Sequence, residues 1–420
     1  MIAQVLQKKI KASLGFDRRV WLLLFAMLVF RFGQGLYYPF STIHFHNVVG
    51  IPLSLVGAGL GALAAASVVS GLVSGPLSDR YGRKPLMLVS LTGSAATFFA
   101  FALVEDFAGY LAVSVAAGLV GSSMFDAARN AMVADVTQPG RRSRAYGLVR
   151  VGGNIGWALG PMVAGVVAAS VGSAGIYRTL FLCTSALTAL VVAVLALTAE
   201  ESLPATTKAS RPEARSARLR TALTDGPFVV LLAAGVLLYY VFTQDWQTLP
   251  IYAKNFVGVP DDRIGLFLGA NGLMVIVLQL PISYAIDRTS RTWALLAGAA
   301  LFALSSATLL LTESFFGILL AFAGFFTLAE MILEVAGAAL AAELAPARLR
   351  GTYLALFGTC FGAAYGVSPV VAGALLEARL PDVIWKIQLV TAALAAAGLV
   401  VLRGIRSQAS GISKDPRANT

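Results

Sequence analysis

The chain contains twelve apolar segments, each long enough to cross a lipid bilayer as a helix. A transmembrane helix needs about 20 mainly apolar residues to span the hydrocarbon core. Within lipid, a helix satisfies its backbone hydrogen bonds inside a single segment. The sequence therefore predicts an all-α membrane protein with twelve transmembrane helices. The segments, numbered 1 to 12 in chain order, lie near residues 20–43, 52–76, 84–104, 107–134, 144–170, 176–198, 227–250, 261–284, 292–311, 315–342, 352–376 and 384–403.

The composition is typical of a chain that folds in lipid. Of the 420 residues, 58% are hydrophobic and 13% are charged, and the mean hydropathy is +0.78. Soluble domains contain about 25% charged residues. The formal net charge of +11 raises the question of nucleic-acid binding, so the positions of the basic residues have to be considered.

Most basic residues fall on one side of the predicted membrane. Of the 32 Lys and Arg residues, three lie within the segments, five lie on the side opposite the N-terminus and 24 lie on its side. This positive-inside bias predicts that both termini are cytoplasmic. Topology therefore explains the net charge, and we expect no nucleic-acid partner. The three within segments are Arg31, Arg129 and Arg150, and the five are Arg178, Lys254, Arg263, Arg379 and Lys386.

The chain divides into two halves that repeat each other. We interpret the polar stretch 200–225 as a cytoplasmic linker between an N-terminal six-helix bundle, residues 1–199, and a C-terminal one, residues 226–420. Because each half holds an even number of helices, the two copies are parallel repeats related by an axis along the membrane normal. Pairs that lie 208 residues apart are Val49-Gly50-Ile51-Pro52 and Val257-Gly258-Val259-Pro260, Asp79 and Asp287, Arg80 and Arg288, Arg83 and Arg291, Asp135 and Glu343, Pro161 and Pro369, and Gly165 and Gly373.

The loop between segments 2 and 3 is a short charged turn, within the stretch GPLSDRYGRKPLML, Gly75–Leu88. Gly82 permits a tight turn that keeps the two helices adjacent. Asp79 and Arg83 are four residues apart and can reach one another at a helix end. Asp135, at the cytoplasmic end of segment 4, can complete an Asp–Arg–Asp cluster.

Segment 5 carries the stretch GWALGPMVAG, Gly156–Gly165. Its glycines allow a neighbouring helix to approach closely. Pro161 removes a backbone donor, so that the helix can bend. Close packing alone would also account for these small residues.

Both stretches resemble motifs of one family, and the resemblance covers nearly the whole chain. The loop is similar to the signature of the major facilitator superfamily, with Gly75, Asp79, Arg80, Gly82, Arg83 and Lys84 at the expected positions. Gly156, Gly160, Pro161 and Gly165 resemble the helix-5 signature of its drug:proton antiporters. The resemblance implies alternating access of two six-helix bundles and a cytoplasmic latch of Asp79, Arg83 and Asp135, echoed by Asp287, Arg291 and Glu343. A topology-setting loop with a structural salt bridge is the alternative.

Charged residues within the segments indicate functional sites, because each is costly in a bilayer unless it is paired or faces a wet cavity. Arg31 should line a cavity or pair with an acid. Asp126 and Arg129 are three residues apart and can pair on one helix face. Glu330 and Glu334 are four apart, so that one of them should hold a proton. We predict that Asp126, Glu330 and Glu334 couple transport to protons. The alternatives are a structural bridge to Arg129 for Asp126 and a purely structural role for the two glutamates.

Polar and aromatic residues in the segments predict a substrate cavity. An aromatic cavity with few charges suits hydrophobic or amphipathic, often cationic, molecules. Some of the rings should instead anchor helices at the membrane interface. The predicted cavity residues are Arg31, Gln34, Tyr38, Phe125, Arg129, Asn154, Trp157, Tyr239, Gln244, Asp245, Asn271, Phe325 and Tyr365.

Other functional classes lack the residues that they need. The chain has no GxxxxGK[ST] loop for ATP, no metal-ligand spacing and only two histidines, both at one membrane edge. We therefore expect no enzyme activity and no cofactor or metal. The prediction is a proton-coupled exporter of hydrophobic or amphipathic small molecules in a bacterial inner membrane. Its partners would be that substrate, protons and membrane lipid, with a monomeric chain. A transporter of a specific metabolite such as a sugar or amino acid, and a flippase-like lipid transporter, are the alternatives.

Overall fold

The structure is a computed structural model that describes residues 15–138, 141–171, 175–203, 215–346 and 349–412. These residues form helices and connecting turns with no β-strand, and twelve helices are long and apolar enough to cross a membrane. The predicted all-α fold with twelve helices is thus confirmed. The orientation of the termini stays a prediction. Residues 204–214 of the predicted linker, and basic residues such as Lys208 and Arg211, lie outside the described residues.

The spans are numbered α1 to α12, and two of them have two parts. In chain order they are α1 Arg18–Ile43 with the π-helical turn His44–Val48, α2 Leu53–Tyr81, α3 Arg83–Phe101, α4a Phe107–Val120, α4b Ser122–Val136, α5 Arg142–Val171, α6 Gly175–Thr198, α7 Gly226–Asn255, α8 Asp261–Asp287, α9 Arg291–Leu311, α10a Phe315–Leu319 with the π-helical segment Leu320–Phe326, α10b Thr327–Leu344, α11 Arg350–Glu377 and α12 Pro381–Ile412. A short helix, Arg215–Thr224, precedes α7.

The chain separates into two compact units. Unit 1 comprises Met1–Ser41 and Ala65–Ala209, and unit 2 comprises Thr42–Ala64 and Ser210–Thr420. The end of α1 and the first half of α2 therefore group with the C-terminal helices, which the sequence did not indicate. The predicted division of the chain at residues 200–225 stays a prediction.

Glycines bring α1 and α5 of unit 1 into backbone contact. A Cβ atom on Gly160 would lie 2.6 Å from the Phe32 carbonyl oxygen and 2.7 Å from the Cα atom of Gly35. One on Gly156 would collide with the carbonyl oxygen of Leu28. Only hydrogen fits in these places, which is how small residues let membrane helices approach closely.

The fourth span is interrupted at Gly121, where the backbone turns to an extended ψ of −150°. The Ser90 hydroxyl of α3 reaches the backbone at this break and lies 2.7 Å from the Val120 oxygen and 2.9 Å from the Gly121 oxygen. Such breaks are tolerated at membrane depth where other protein groups satisfy the backbone. The break begins α4b one turn before Asp126.

The tenth span contains a second irregularity. The π-helical segment Leu320–Phe326 ends at Thr327, whose hydroxyl donates to the Phe322 carbonyl oxygen at 2.9 Å. The rings of Phe322 and Phe326 stack at 4.6 Å. Because π-helical turns often occur at functional sites, this one directs attention to Glu330, which follows it within one turn.

The segment Thr42–Ala64 packs on α11 within unit 2. A Cβ atom on Gly57 would collide with the Pro369 carbonyl oxygen, and one on Gly61 would lie 3.0 Å from the Gly366 oxygen. Glu377, at the end of α11, accepts a 2.9 Å hydrogen bond from the backbone N–H of Ser54. This face of α2 is therefore in backbone contact with α11.

Candidate functional site

Unit 1 contains a polar cluster between α1 and α4b. Arg31 Nη2 lies 3.1 Å from Asp126 Oδ2, and Arg129 Nη1 lies 2.9 Å from Asp126 Oδ1. Arg31 also donates to Gln34 Oε1 at 2.7 Å, and Gln34 Nε2 donates to the Ser122 hydroxyl at 2.9 Å. We call Arg31, Gln34, Ser122, Asp126 and Arg129 the arginine cluster. It joins the start of α4b to the middle of α1.

The arginine cluster carries two guanidinium groups and one carboxylate. Asp126 is in contact with both guanidinium groups. The side chains of Arg31 and Arg129 are only 18% and 12% exposed, so that each needs this counter-charge. The geometry therefore supports the structural-bridge interpretation of Asp126 more strongly than a role in carrying protons.

Unit 2 contains the acid pair, Glu330 and Glu334, on one face of α10b. Glu330 Oε2 accepts a hydrogen bond of 2.8 Å from Asn271 Nδ2 of α8, which also donates to Thr327 Oγ1 at 2.9 Å. Glu334 Oε1 accepts one of 3.0 Å from the Tyr239 hydroxyl of α7. Both donors are neutral groups. The two carboxyls are half-buried and lie one helical turn apart.

The aromatic residues of the predicted cavity fall into separate groups. Tyr38 and Trp157 meet edge to face at 5.5 Å in unit 1. Tyr239 and Tyr365 of unit 2 both contact Phe361, at 5.8 and 5.7 Å. Tyr239 is buried, with 6% of its surface exposed, whereas the other rings are half-buried or exposed.

The remaining cavity candidates differ in burial. Phe125 is fully buried against Phe30, with ring centroids 5.4 Å apart. Gln244 and Asp245 of α7 are also fully buried. Asn154 and Phe325 are half-buried. The structure thus places Phe125, Gln244 and Asp245 inside their units.

At the loop between α2 and α3, Arg83 lies between the two acids that the sequence assigned to it. Arg83 Nη1 is 2.7 Å from Asp79 Oδ1, and Arg83 Nε is 3.0 Å from Asp135 Oδ2. Gly82 has a φ of +103°, a conformation that favours glycine. Gly75 has open space around it, and Arg80 stacks on the ring of Tyr81 at 5.1 Å.

The second copy of this loop is arranged differently. Arg291 Nη2 lies 3.4 Å from Asp287 Oδ1, a longer contact than in the first copy. Glu343, the counterpart of Asp135, forms its ion pair with Arg406 of α12. Among the described residues the three-residue cluster therefore forms only in unit 1.

Sequence reasoning missed Glu201, which it had assigned to the linker. Its carboxylate accepts hydrogen bonds from the backbone N–H groups of Arg83 and Lys84, each at 3.0 Å, and so caps the start of α3. It also accepts from Ser202 at 2.7 Å and Leu203 at 2.9 Å. Burial alone would raise the pKa of Glu201, but these four backbone donors together hold it below its usual value. The first backbone N–H groups of a helix need acceptors from outside it. The sequence offers no capping side chain at the start of segment 3, which was the signal that another residue supplies the acceptor.

A second missed contact joins Asn47 to Asn255. The two side-chain amides exchange hydrogen bonds of 2.8 Å in both directions. The residues are 208 positions apart, which is the spacing of the repeat. A search for identical residues at that spacing would have found the pair.

The segment-5 motif residues lie on α5 as predicted. Gly156 and Gly160 make the contact with α1 described above, together with Pro161, whose Cδ atom lies 2.9 Å from the Cβ position of Gly35. Gly165 is buried one turn further along. Elsewhere, the described residues contain no group of three or more His, Cys, Asp or Glu side chains placed to hold a metal ion.

Comparison with known proteins gives a consistent result. The sequence profile of the Major Facilitator Superfamily matches residues 23–260 and 246–418. The multidrug resistance protein MdtH of Yersinia enterocolitica is 26% identical over 82% of this chain and 84% of its own length. A Na(+), Li(+), K(+)/H(+) antiporter of Planococcus maritimus is 27% identical over 76% of this chain and 80% of its own. A crystal structure of the peptide transporter POT with sulfate superposes with a TM-score of 0.76 at 17% identity, covering 94% of this chain and 95% of that one, and shows the shared fold.

Proposed function

Because the chain belongs to the Major Facilitator Superfamily and is an integral, multi-pass membrane transporter, we propose that it exports hydrophobic or amphipathic small molecules in exchange for protons. We expect it to work by alternating access of two six-helix bundles. The relatives named as a multidrug resistance protein and as a cation/proton antiporter support this proposal. We place this transport in a bacterial inner membrane. The family consists of transporters rather than enzymes.

The acid pair carries the proposal. Glu330 and Glu334 lie one turn apart and accept hydrogen bonds from the neutral donors Asn271 and Tyr239. We assign one exchangeable proton to this pair, because two half-buried acids one helical turn apart repel each other when both are ionised. Binding of a cationic substrate or a change of conformation would release that proton. The acid pair can therefore bind a proton in one state and give it up in another, as antiport requires.

The arginine cluster has a different part in this scheme. Its net positive charge, with Asp126 between Arg31 and Arg129, makes it a poor proton carrier. We assign it to the positioning of α4b against α1. The proton-coupling role predicted for Asp126 is therefore not carried into the proposal, which rests on Glu330 and Glu334.

The test uses purified protein in proteoliposomes with an imposed pH gradient. A panel of lipophilic cations and dyes should accumulate in a saturable way when the gradient is present and equilibrate without it. Glu330→Gln or Glu334→Gln should abolish the accumulation while substrate still binds. Glu313→Gln, an exposed acid before α10a, is the matched control and should accumulate substrate like the wild type.

Two outcomes would contradict the proposal. Undiminished accumulation in both helix-10 variants would remove the acid pair from the coupling mechanism. No transport of any member of the panel would remove the lipophilic substrate class, and the panel would then be extended to sugars, amino acids and labelled lipids. The first outcome tests the energy source and the second tests the substrate class, so these two parts of the proposal can fail separately.

A further inference from the structure

Asp245 lies in the interior of unit 2, on the side of α7 that meets α9 and α12. Its side chain has no exposed surface. Gln388 Nε2 of α12 donates to Asp245 Oδ1 at 2.6 Å, and the Ser306 hydroxyl of α9 donates to Gln388 Oε1 at 2.8 Å. Gln388 and Ser306 are fully buried as well. We call these three residues the Asp245 chain.

The surroundings of Asp245 do not compensate a negative charge. Among the described residues, its second oxygen, Oδ2, has no hydrogen-bond partner, and no cation forms an ion pair with it. An ionised carboxylate buried in this way is costly enough that the group binds a proton instead. Buried polar groups without partners call for an explanation, and a neutral carboxylic acid supplies one.

Among the described residues, the hydrogen-bond chain that reaches Asp245 is neutral. Gln388 of α12 donates to Asp245, and Ser306 of α9 donates to Gln388. The acids of α10b, Glu330 and Glu334, bond to Asn271 and Tyr239 instead. On α12, the charged residue nearest in sequence to Gln388 is Lys386, which is exposed. On α8, α9 and α11, every charged residue lies within three positions of a helix end. These residues are Asp261, Asp262, Arg263, Asp287, Arg291, Arg350 and Glu377.

A proton on Asp245 completes the hydrogen bonds of the chain. A half-turn of the Gln388 amide exchanges the positions of its oxygen and nitrogen. The carboxylic O–H then donates to Gln388 Oε1, Gln388 Nε2 donates to Ser306, and Ser306 donates to the Phe302 carbonyl oxygen, which lies 3.0 Å away. Of the Asp245 carboxyl, the neutral carbonyl oxygen Oδ2 is then the atom left without a partner.

We propose that Asp245 is a proton-binding site distinct from the acid pair, protonated while α7 is packed against α9 and α12. Releasing the proton requires Asp245 to leave Gln388, which means a displacement of α7 within unit 2. The site thereby links the protonation of one buried carboxyl to the position of a whole helix. Its use in transport rests on the proposed proton coupling, whereas the proton site itself does not.

Infrared spectroscopy of the full-length protein in nanodiscs tests the site directly. The carbonyl stretch of a protonated carboxylic acid is separate from the carboxylate bands. At neutral pH, Asp245→Asn should lack one such band that the wild type has, and Glu330→Gln and Glu334→Gln should keep it. Asparagine can donate to Gln388 as the neutral acid does, so the variant should fold.

A second variant keeps the proposal falsifiable if Asp245→Asn is unstable. Ser306→Ala removes the acceptor at the far end of the neutral chain, and should shift the Asp245 band without abolishing it. An unaltered spectrum in Ser306→Ala, or the same carboxylic bands in the wild type and Asp245→Asn, would overturn the proposal.

The role in transport has its own readout. Binding of substrate to the detergent-solubilised wild type should release protons. For each substrate molecule bound, the Asp245→Asn variant should release one proton fewer than the wild type. Equal release would show that the proton on Asp245 is not exchanged, and would overturn the link to α7. Failure of the helix-10 variants to change accumulation would contradict the proposed function and leave the Asp245 band in place.

Discussion

Asn47 and Asn255 exchange two hydrogen bonds of 2.8 Å, each side-chain amide donating to the oxygen of the other. They hold equivalent positions in the two repeats, at the ends of α1 and α7. Two asparagines at equivalent repeat positions can bond to each other in this way because each amide carries both a donor and an acceptor. Because the same residue type stands at both repeat positions, the two amides can form this reciprocal pair of hydrogen bonds.

The amide pair predicts a simple double-mutant cycle. Asn47→Ala or Asn255→Ala each removes both hydrogen bonds, and should cost about 0.5 kcal/mol per bond lost, because both amides are exposed to water. The double variant should cost little more than either single one, because no bond remains to be lost. Thermal unfolding of the purified variants in detergent measures the effect. Additive losses would show that the two amides contribute independently and would contradict the reciprocal pair.

Glu201 should contribute stability that depends on pH. Its pKa is held below the usual value in the folded protein, so the unfolded chain binds the proton more readily. The stabilisation is therefore fully present above the unfolded pKa, about 4.3 for a glutamate, and is lost as pH falls through the lower folded pKa. Removing the carboxylate with Glu201→Gln should lower the unfolding temperature by a constant amount between neutral pH and about pH 6.

The comparison at low pH is the decisive part of this prediction. The difference between wild type and Glu201→Gln should shrink as the carboxylate of the wild type becomes protonated. Glu200→Gln, which alters the neighbouring acid, serves as the matched control and should show no such dependence. A difference that stays constant down to acid pH would mean that Glu201 acts through its size rather than its charge.

How far the sequence could predict the site depends on whether the partners are close along the chain. Asp79 and Arg83 are one helical turn apart, so their contact followed from spacing, and the position of Asp135 at the cytoplasmic end of segment 4 made it the third member. Glu201 could not be found in this way, because its cap on α3 joins residues 118 positions apart and depends on where α6 ends in space. The twelve helices were predictable, since lipid permits few alternatives for long apolar segments.

Burial was the property that the sequence predicted least well. Asp245 and Gln244 were placed in the cavity because polar groups in apolar helices need partners. The rule is sound, but it does not say whether the partner is substrate, water or another helix. For Asp245 the partner is Gln388, a residue 143 positions away that nothing in the local pattern marks. The break at Gly121 was also missed, because one glycine in an apolar segment rich in small residues does not by itself indicate an interruption.

The contact of α5 with α1 predicts position-specific effects of adding one methyl group. Gly160→Ala should force the helices apart, because the new carbon would lie 2.6 Å from the Phe32 carbonyl oxygen. Overpacking of this kind costs about 1–3 kcal/mol. Gly147, on the same helix, has nothing within 4 Å of its Cβ position, so Gly147→Ala should be neutral or stabilising by up to about 1 kcal/mol. Equal unfolding temperatures for the two variants would contradict the close approach.

The arginine cluster predicts that Asp126→Asn damages folding rather than coupling alone. The substitution leaves Arg31 and Arg129 facing each other with no counter-charge, and removing one partner of a fully buried ion pair costs about 3–5 kcal/mol; the partial exposure of Asp126, 30%, lowers this figure. The yield of folded protein and its unfolding temperature should both fall. Adding Arg31→Gln restores the net charge of the cluster and should recover part of the loss, whereas Asp126→Glu should lose less than Asp126→Asn. If Asp126→Asn is as stable as the wild type and loses only the pH dependence of transport, Asp126 carries protons and the structural assignment is wrong.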